Sequence, residues 1–289
     1  MLGLLLSQAA NGLTLGVVYV LIAIGLSITF GLLGVINFAH GAFFALGAYV
    51  AYALQGWWGV QAVWLAPLLV AAGGMVLERL LLRHLYQRNP LTSLIVTFAL
   101  ALFIEALIRR VWGPAGVPFN TPDALQGVLV YGPFLITTYR LAVVACTLLL
   151  LCGLWLFLSF TPYGRILRAG SRDAEMVEAL GIRLQNAQTG AFGLGCGLAA
   201  VAGVLAAPLW SVSPSMGSEA IMPAFVVITI GGLGSLRGSI VSGVLVGVVT
   251  ALTIQFAPAA AGAAMYVLML FVTLARPRGL FGERWERFE

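Results

Sequence analysis

Apolar runs of about 20 residues, the length a helix needs to cross a bilayer, recur along the whole chain and are separated by short polar or Gly/Pro-rich stretches. Residues 9–33 form the first span, opening A-N-G-L-T-L-G with Gly12 and Gly16 in GxxxG register. It breaks at G-L-L-G-V-I-N-F-A-H-G (31–41) and resumes as a small-residue piece, 41–54. Trp57, Trp58 and Trp64 mark an interface belt. A third span, about 62–82, ends in Glu78, Arg79 and Arg83, whose long stems can snorkel to water. Asn89-Pro90 supplies a cap and a first helical position for a fourth, 91–110, where Glu105 and Arg109 are spaced as an ion pair. Residues 111–138 hold four of the twelve prolines and read as a loop. A fifth span (139–160) and a sixth (187–209, with Gly193, Gly197, Gly203 and Ala207) follow. The seventh, 220–231, is too short to cross alone and breaks at G-G-L-G-S-L-R-G (231–238). An eighth (239–256, with Gly243 and Gly247) and a ninth (261–275) complete the series. The pattern predicts an all-α, polytopic transmembrane bundle: one domain over 1–289, about 8–9 hydrophobic segments, two of them broken by Gly-rich turns.

One stretch departs from the oily rule. Residues 161–187 carry Arg165, Arg168, Arg172, Asp173, Glu175, Glu178 and Arg183, seven of the chain's 25 charges. Ser171 is placed to cap a helix whose first turn holds Asp173 and Glu175, favoured at the positive end of the dipole. Gly181 offers a left-handed stop, with Ile182 placed to fold back on Val177. Met176, Val177 and Leu180 fall on one face by their spacing, giving an apolar ridge with a charged flank. Two readings fit: a solvated connector lying on the membrane surface, or a docking helix for a cytosolic protein.

Composition sharpens the membrane assignment. The chain is 61% apolar and 9% charged, whereas a soluble domain is roughly 25% charged. Cys146, Cys152 and Cys196 all lie inside apolar runs and have neither disulfide nor metal spacing. The N-terminus lacks the basic flank of a cleaved signal peptide, and the first charged side chain is Glu78. The net charge of +5 is carried by arginine alone, since lysine is absent; in a membrane protein this reports orientation rather than nucleic-acid binding. With 161–187 in the cytosol, alternation puts three arginines of 76–90, four of 161–187, Arg237 and four of the tail inside, against Arg109, Arg110 and Arg140 outside. The positive-inside rule then sets the N-terminus outside and the C-terminus inside. Arg237, beside the second break, reads as a cytosolic anchor or partner contact.

The chemistry that is missing narrows function. His40 and His84 are the only histidines, and neither HExxH nor a Cys/His cluster occurs, which argues against a metal hydrolase and predicts no metal site. Glu78, Glu105 and Glu219 fall near predicted span ends, so no mid-membrane carboxylate is available to bind a coupling ion. A Walker A loop needs its lysine, so a nucleotide is not bound in the usual way by this chain. Uphill transport therefore requires a separate motor. The polar groups at membrane depth, among them Asn37, Thr92, Ser93, Thr97 and Thr229, are neutral and suit a solute without net charge. The two breaks resemble each other, as an internal repeat of discontinuous helices would, or as two plain Gly-rich turns would. Asn37 and His40 flank the first. They either line a path, with Gly41, Thr97 and Gly231, Gly232 and Gly234 of the second break, or satisfy the broken backbone's own polar groups.

The string Y-V-L-I-A-I-G-L-S-I-T-F-G-L-L-G-V-I-N-F-A-H-G-A-F-F-A-L-G-A-Y (19–49) resembles the LivH-type permease subunit of the branched-chain amino-acid ABC importer family. R-N-P-L-T-S-L-I-V-T (88–97), G-R-I-L-R-A-G-S-R-D-A-E-M-V-E-A-L-G-I (164–182), G-G-L-G-S-L-R-G-S (231–239) and R-P-R-G-L-F-G (276–282) match it in order. The resemblance implies a multi-pass, non-enzymatic subunit in the inner (plasma) membrane of a bacterium or archaeon. Its partners there would be a homologous sister permease, two cytosolic ATPases that consume ATP, and an external solute-binding protein. It makes 164–182 a coupling helix set in a cleft of the ATPase, with Arg168, Asp173, Glu175, Met176, Val177, Leu180, Gly181 and Ile182 as the contact set. No cofactor is expected on the chain itself. Urea or short amides are an alternative solute class, and a passive channel for neutral solutes an alternative mechanism. The outer loop 111–138 and the tail after Gly282 show little that matches.

Overall fold

The computed structural model describes residues 2–86, 89–131 and 134–282, so Arg88 and the tail arginines Arg284 and Arg287 lie outside the described residues. Eleven helices and one hairpin make up that chain: α1 (Leu2–Leu33), α2 (Ala39–Trp58), α3 (Ala66–Leu80), α4 (Pro90–Trp112), β1 (Val128–Tyr131), β2 (Phe134–Thr137), α5 (Thr138–Phe160), α6 (Pro162–Arg172), α7 (Ala174–Ala179), α8 (Leu184–Ala206), α9 (Met216–Gly231), α10 (Leu236–Phe256) and α11 (Ala261–Ala275). Among the described residues, six helices are long and apolar enough to cross a membrane: α1, α4, α5, α8, α10, and α11 with the short turn before it. The apolar pieces α2, α3 and α9 pack among them.

Burial sorts the helices into layers. The apolar window of α1 is 83% buried and that of α8 72%, against 22% for α4 and α5 and none for α11. An inner set of α1, α2, α8 and α9 is thus wrapped by helices whose outward side chains, such as Phe103, Leu149 and Leu274, are large, apolar and exposed. Water would not tolerate that surface; lipid does.

Small residues let the inner helices touch backbone to backbone. A Cβ at Gly12 would stand 2.6 Å from the Cα of Val248, and one at Gly16 would stand 2.8 Å from the carbonyl oxygen of Gly243. The GxxxG register of α1 therefore meets the Gly243/Gly247 register of α10 as a single seam. The same device joins α2 to α8 at Gly47 and Gly203, whereas at Gly74 and Gly193 the space between α3 and α8 is filled by the side chains of Cys196 and Met75.

The loops gather at two ends. At one, Gln8 donates to Gln255 (2.8 Å), Arg140 donates to Asn11, and Val117 pairs with Val212. At the other, the 276–282 segment packs on the second break and α6 packs against the ends of α1 and α8. The stretch read as a plain loop, 111–138, departs from expectation. It contains the antiparallel pair β1–β2, with Val128 opposite Thr137 and Leu129 opposite Ile136. Both strands are apolar on both faces, so the two-residue alternation that announces a strand is missing. Asn89 does cap α4, accepting from the Leu91 amide at 3.1 Å ahead of Pro90.

Candidate functional site

The charged segment folds as two helices rather than one. Thr161 caps α6 by accepting from the Gly164 amide at 3.1 Å, with Pro162 at the first position. The chain then turns extended at Asp173 (φ −146°, ψ 96°), whose carboxylate caps α7 by accepting from the Met176 amide at 2.9 Å. Ser171 is not the cap; it lies inside α6 and its hydroxyl donates back to the Arg168 carbonyl at 2.9 Å. Asp173 wins because a carboxylate is the stronger acceptor at the positive helix end. The stop at Gly181 is as expected: φ is +79°, its amide donates to Glu178 (2.9 Å), and that of Ile182 donates to Val177 (3.3 Å).

The ridge needs correction. Val177 is 4% exposed and faces the protein, while Met176 (60%) and Leu180 (72%) face away. A helix as short as α7 turns its middle residue inward to anchor itself, and its two flanking apolar side chains are left as an uncovered pair. Asp173, Glu175 and Glu178 are exposed beside them, as is Arg168.

This segment is tied firmly to α8. The Tyr163 hydroxyl donates to the Ala187 carbonyl at 2.7 Å, and burial pushes its pKa up, which keeps it a donor. Gly170 sits under Leu184: a Cβ there would be 2.6 Å from Leu184 Cδ1 and 3.2 Å from Leu32 Cδ1. One turn along α8, the Thr189 hydroxyl donates to Glu78 (2.7 Å) and accepts from Arg83 (2.7 Å), whose Nε lies 3.7 Å from the Glu78 carboxylate. Glu78 was expected to snorkel to the surface; its side chain is 0% exposed. The nearby hydroxyl and guanidinium make its burial tolerable. Beside it, burial first and then the Glu78 charge push the Tyr86 phenol well above its ordinary pKa. The charged segment, α8 and α3 are thereby joined by short polar contacts.

At the first break, Gly34 adopts φ +65°, and the chain runs without helix until α2. Thr97 of α4 braces it: its hydroxyl accepts from the Phe38 amide (3.3 Å). Asn37 is 3% exposed, yet neither polar atom of its amide has a hydrogen-bond partner among the described residues. It shares a small pocket with Ser93 and Thr97. His40 does not join them. It turns into the core, its Nε2 is 3.1 Å from the Ile22 carbonyl, and its ring lies against Gly25. Gly41 is spent on close packing against Gly217 of α9.

Above the break, Phe38 meets Phe225 (centroids 5.0 Å) and Phe98 (6.1 Å, edge-on). Phe38 and Phe98 line one end of an open cleft between α2, α4 and α9, which extends to Glu105, Ile108 and Pro214 toward the hairpin end. Sequence reasoning missed the aromatic cluster and the cleft. Their signal is faint: alanines at 42, 45 and 101, which leave space only because three helices converge there.

The second break is closed. A Cβ at Gly231 would stand 2.5 Å from the carbonyl carbon of Gly238, and one at Gly232 would stand 2.5 Å from the Gly282 amide nitrogen. The amides of Leu280 and Phe281 donate to Ile230 (2.8 Å) and Gly231 (3.0 Å), and Ser235 caps α10 by accepting from Gly238 at 3.1 Å. Gly234 lies beside Gly31 at the end of α1. The glycines at 231, 232 and 234 thus do not line the pocket holding Asn37 and Thr97.

Residues 8–274 match the family described as "Branched-chain amino acid transport system / permease component". The chain is 30% identical to the high-affinity branched-chain amino acid transport system permease protein LivH of Escherichia coli (strain K12), over 96% of this chain and 95% of that protein. It is 32% identical to BraD, the permease protein of the same description from Pseudomonas aeruginosa, with the same coverage. LivM of Escherichia coli (strain K12) matches at 28% over 92% of this chain and 68% of that protein. No solved structure matches. With the family match covering nearly all of the helical body and LivH and BraD aligned almost end to end, the chain belongs to the branched-chain amino acid transport permease family.

Proposed function

We propose that this chain is the membrane-spanning permease subunit of an ATP-binding-cassette importer for branched-chain or related neutral amino acids. Two cytosolic ATPases drive it through α6 and α7, a sister permease completes the path, and an external solute-binding protein delivers the solute. Nucleotide is bound by the ATPases and not by this chain. The protein sits in the inner (plasma) membrane with its N-terminus outside, so the hairpin end faces outward and α6 and α7 face the cytosol. The arginine distribution supports that orientation. Likeness to both LivH and LivM supports a pairing of two homologous permeases.

The observation that carries the reading is the α6–α7 segment. It presents an uncovered apolar pair, Met176 and Leu180, beside exposed charges, and is anchored through Val177, Tyr163 and Gly170 to α8. A rigid, locally hydrophobic knob on a bundle of membrane helices suits a groove on a soluble motor. Asn37 and Thr97 mark the inner part of the path, where an unpartnered amide offers the two N–H donors of its nitrogen and its carbonyl oxygen to a neutral solute. Replacing Met176 and Leu180 together by aspartate leaves every internal anchor intact. The double variant is expected to accumulate in the membrane, to lose the ATPases on purification and to lose ATP-dependent leucine uptake. Full uptake in that variant would refute the coupling role.

A further inference from the structure

The cleft between α2, α4 and α9 is wide because its walls are small: Ala42 and Ala45 on α2, Ala101 on α4 and Gly217 on α9. The floor is aromatic, formed by Phe38 and Phe98. One charged side chain lines it: Glu105, near the hairpin-end mouth. Glu105 is paired at 2.6 Å with Arg109, one helical turn further out, and the two side chains are 21% and 49% exposed.

An apolar recess beside one carboxylate and one guanidinium has the outline of a zwitterion with an oily tail. We propose that this cleft is a resting site for the solute: an aliphatic α-amino acid whose side chain fills the recess, its ammonium on Glu105 and its carboxylate on Arg109. The proposal rests on the permease reading above and names the place where that solute stops. Exchange of partners makes it workable. Glu105 and Arg109 release each other and each takes the opposite charge of the ligand, so charge stays balanced at every point and the guanidinium can grip a carboxylate with two parallel hydrogen bonds. A bare amine or a bare acid would satisfy one member of the pair and take the other's partner away without replacing it. The Phe38–Phe98–Phe225 cluster then separates the resting site from the pocket of Asn37 and Thr97.

The test uses this chain assembled with its partner permease and ATPases in proteoliposomes, first without the binding protein. Ser218 lines the mouth and is exposed, so Ser218→Cys reports on occupancy through its rate of reaction with a charged maleimide, with the parent chain as background control. Leucine, added to its solubility limit, is expected to slow that reaction. Isoamylamine, which lacks the carboxylate, and 4-methylpentanoate, which lacks the ammonium, are expected to leave it unchanged. Added to the reporter, Ala101→Phe fills the recess and should abolish protection, while Glu105→Gln should move its half-point about tenfold upward. Three outcomes overturn the proposal. Unchanged labelling in a preparation that imports leucine once binding protein and ATP are supplied removes the site and leaves the permease reading standing. Equal protection by all three compounds makes the cleft a plain apolar groove. A preparation that imports no neutral amino acid refutes the permease reading itself, and the site with it.

Discussion

The two helix breaks look alike in sequence, G-L-L-G near 31 and G-G-L-G near 231, and differ in the folded chain. Around the first, Gly34 has open space on its free side, and Asn37 holds a buried amide with no partner. Around the second, glycine backbones are in contact, a serine caps the next helix, and the 279–282 segment is hydrogen-bonded across the gap. Gly-rich punctuation by itself therefore does not say whether a break is a joint or an opening. What settles it is whether the polar side chains held at the break are answered from within the chain. The second break is answered; the first is left with polar capacity to spare.

That contrast can be broken by substitution. The largest effect is expected from Gly231→Leu, which drives a side chain into the Gly238 backbone with nothing able to yield. It should cost about 3 kcal/mol or more and deplete the folded chain, measured as thermal stability in detergent. Next is Asn37→Leu. It loses no internal hydrogen bond, so abundance should hold while leucine import per folded chain falls about tenfold or more, as expected when a polar group on the path is removed. Ser235→Ala should do the reverse, costing about 1 kcal/mol of stability with import per folded chain unchanged. If these two variants behave alike, the distinction between the breaks collapses. The smallest effect belongs to Gly34→Ala. It meets no neighbour and pays only for a left-handed backbone, about 1 kcal/mol, read as a slight fall in thermal stability.

Much of the architecture was legible because its signals are local. Asn89-Pro90, Gly181 with Ile182, and the Glu105–Arg109 pair each depend on residues within one turn, and each formed as spacing implied. Signals that need a partner from elsewhere were not legible. The buried state of Glu78 depends on Thr189, more than a hundred positions away. Clasping of the second break depends on the R-P-R-G-L-F-G segment, quoted in the sequence as a separate motif. The cleft depends on three helices whose lining residues are unremarkable one at a time. The Ser171 assignment failed for a different reason: Asp173, read as a first-turn acid, is itself the cap, and spacing alone could not rank a hydroxyl against a carboxylate two residues on.

The glycine seam between α1 and α10 also bears on how the chain is made. α1 is made well before α10, its most intimate neighbour, has been synthesised. Until then it must wait in lipid with its future contact face unpaired. A segment without a single ionised side chain, whose glycines hide no polar group beyond hydrogen-bonded backbone, can endure that delay at little cost.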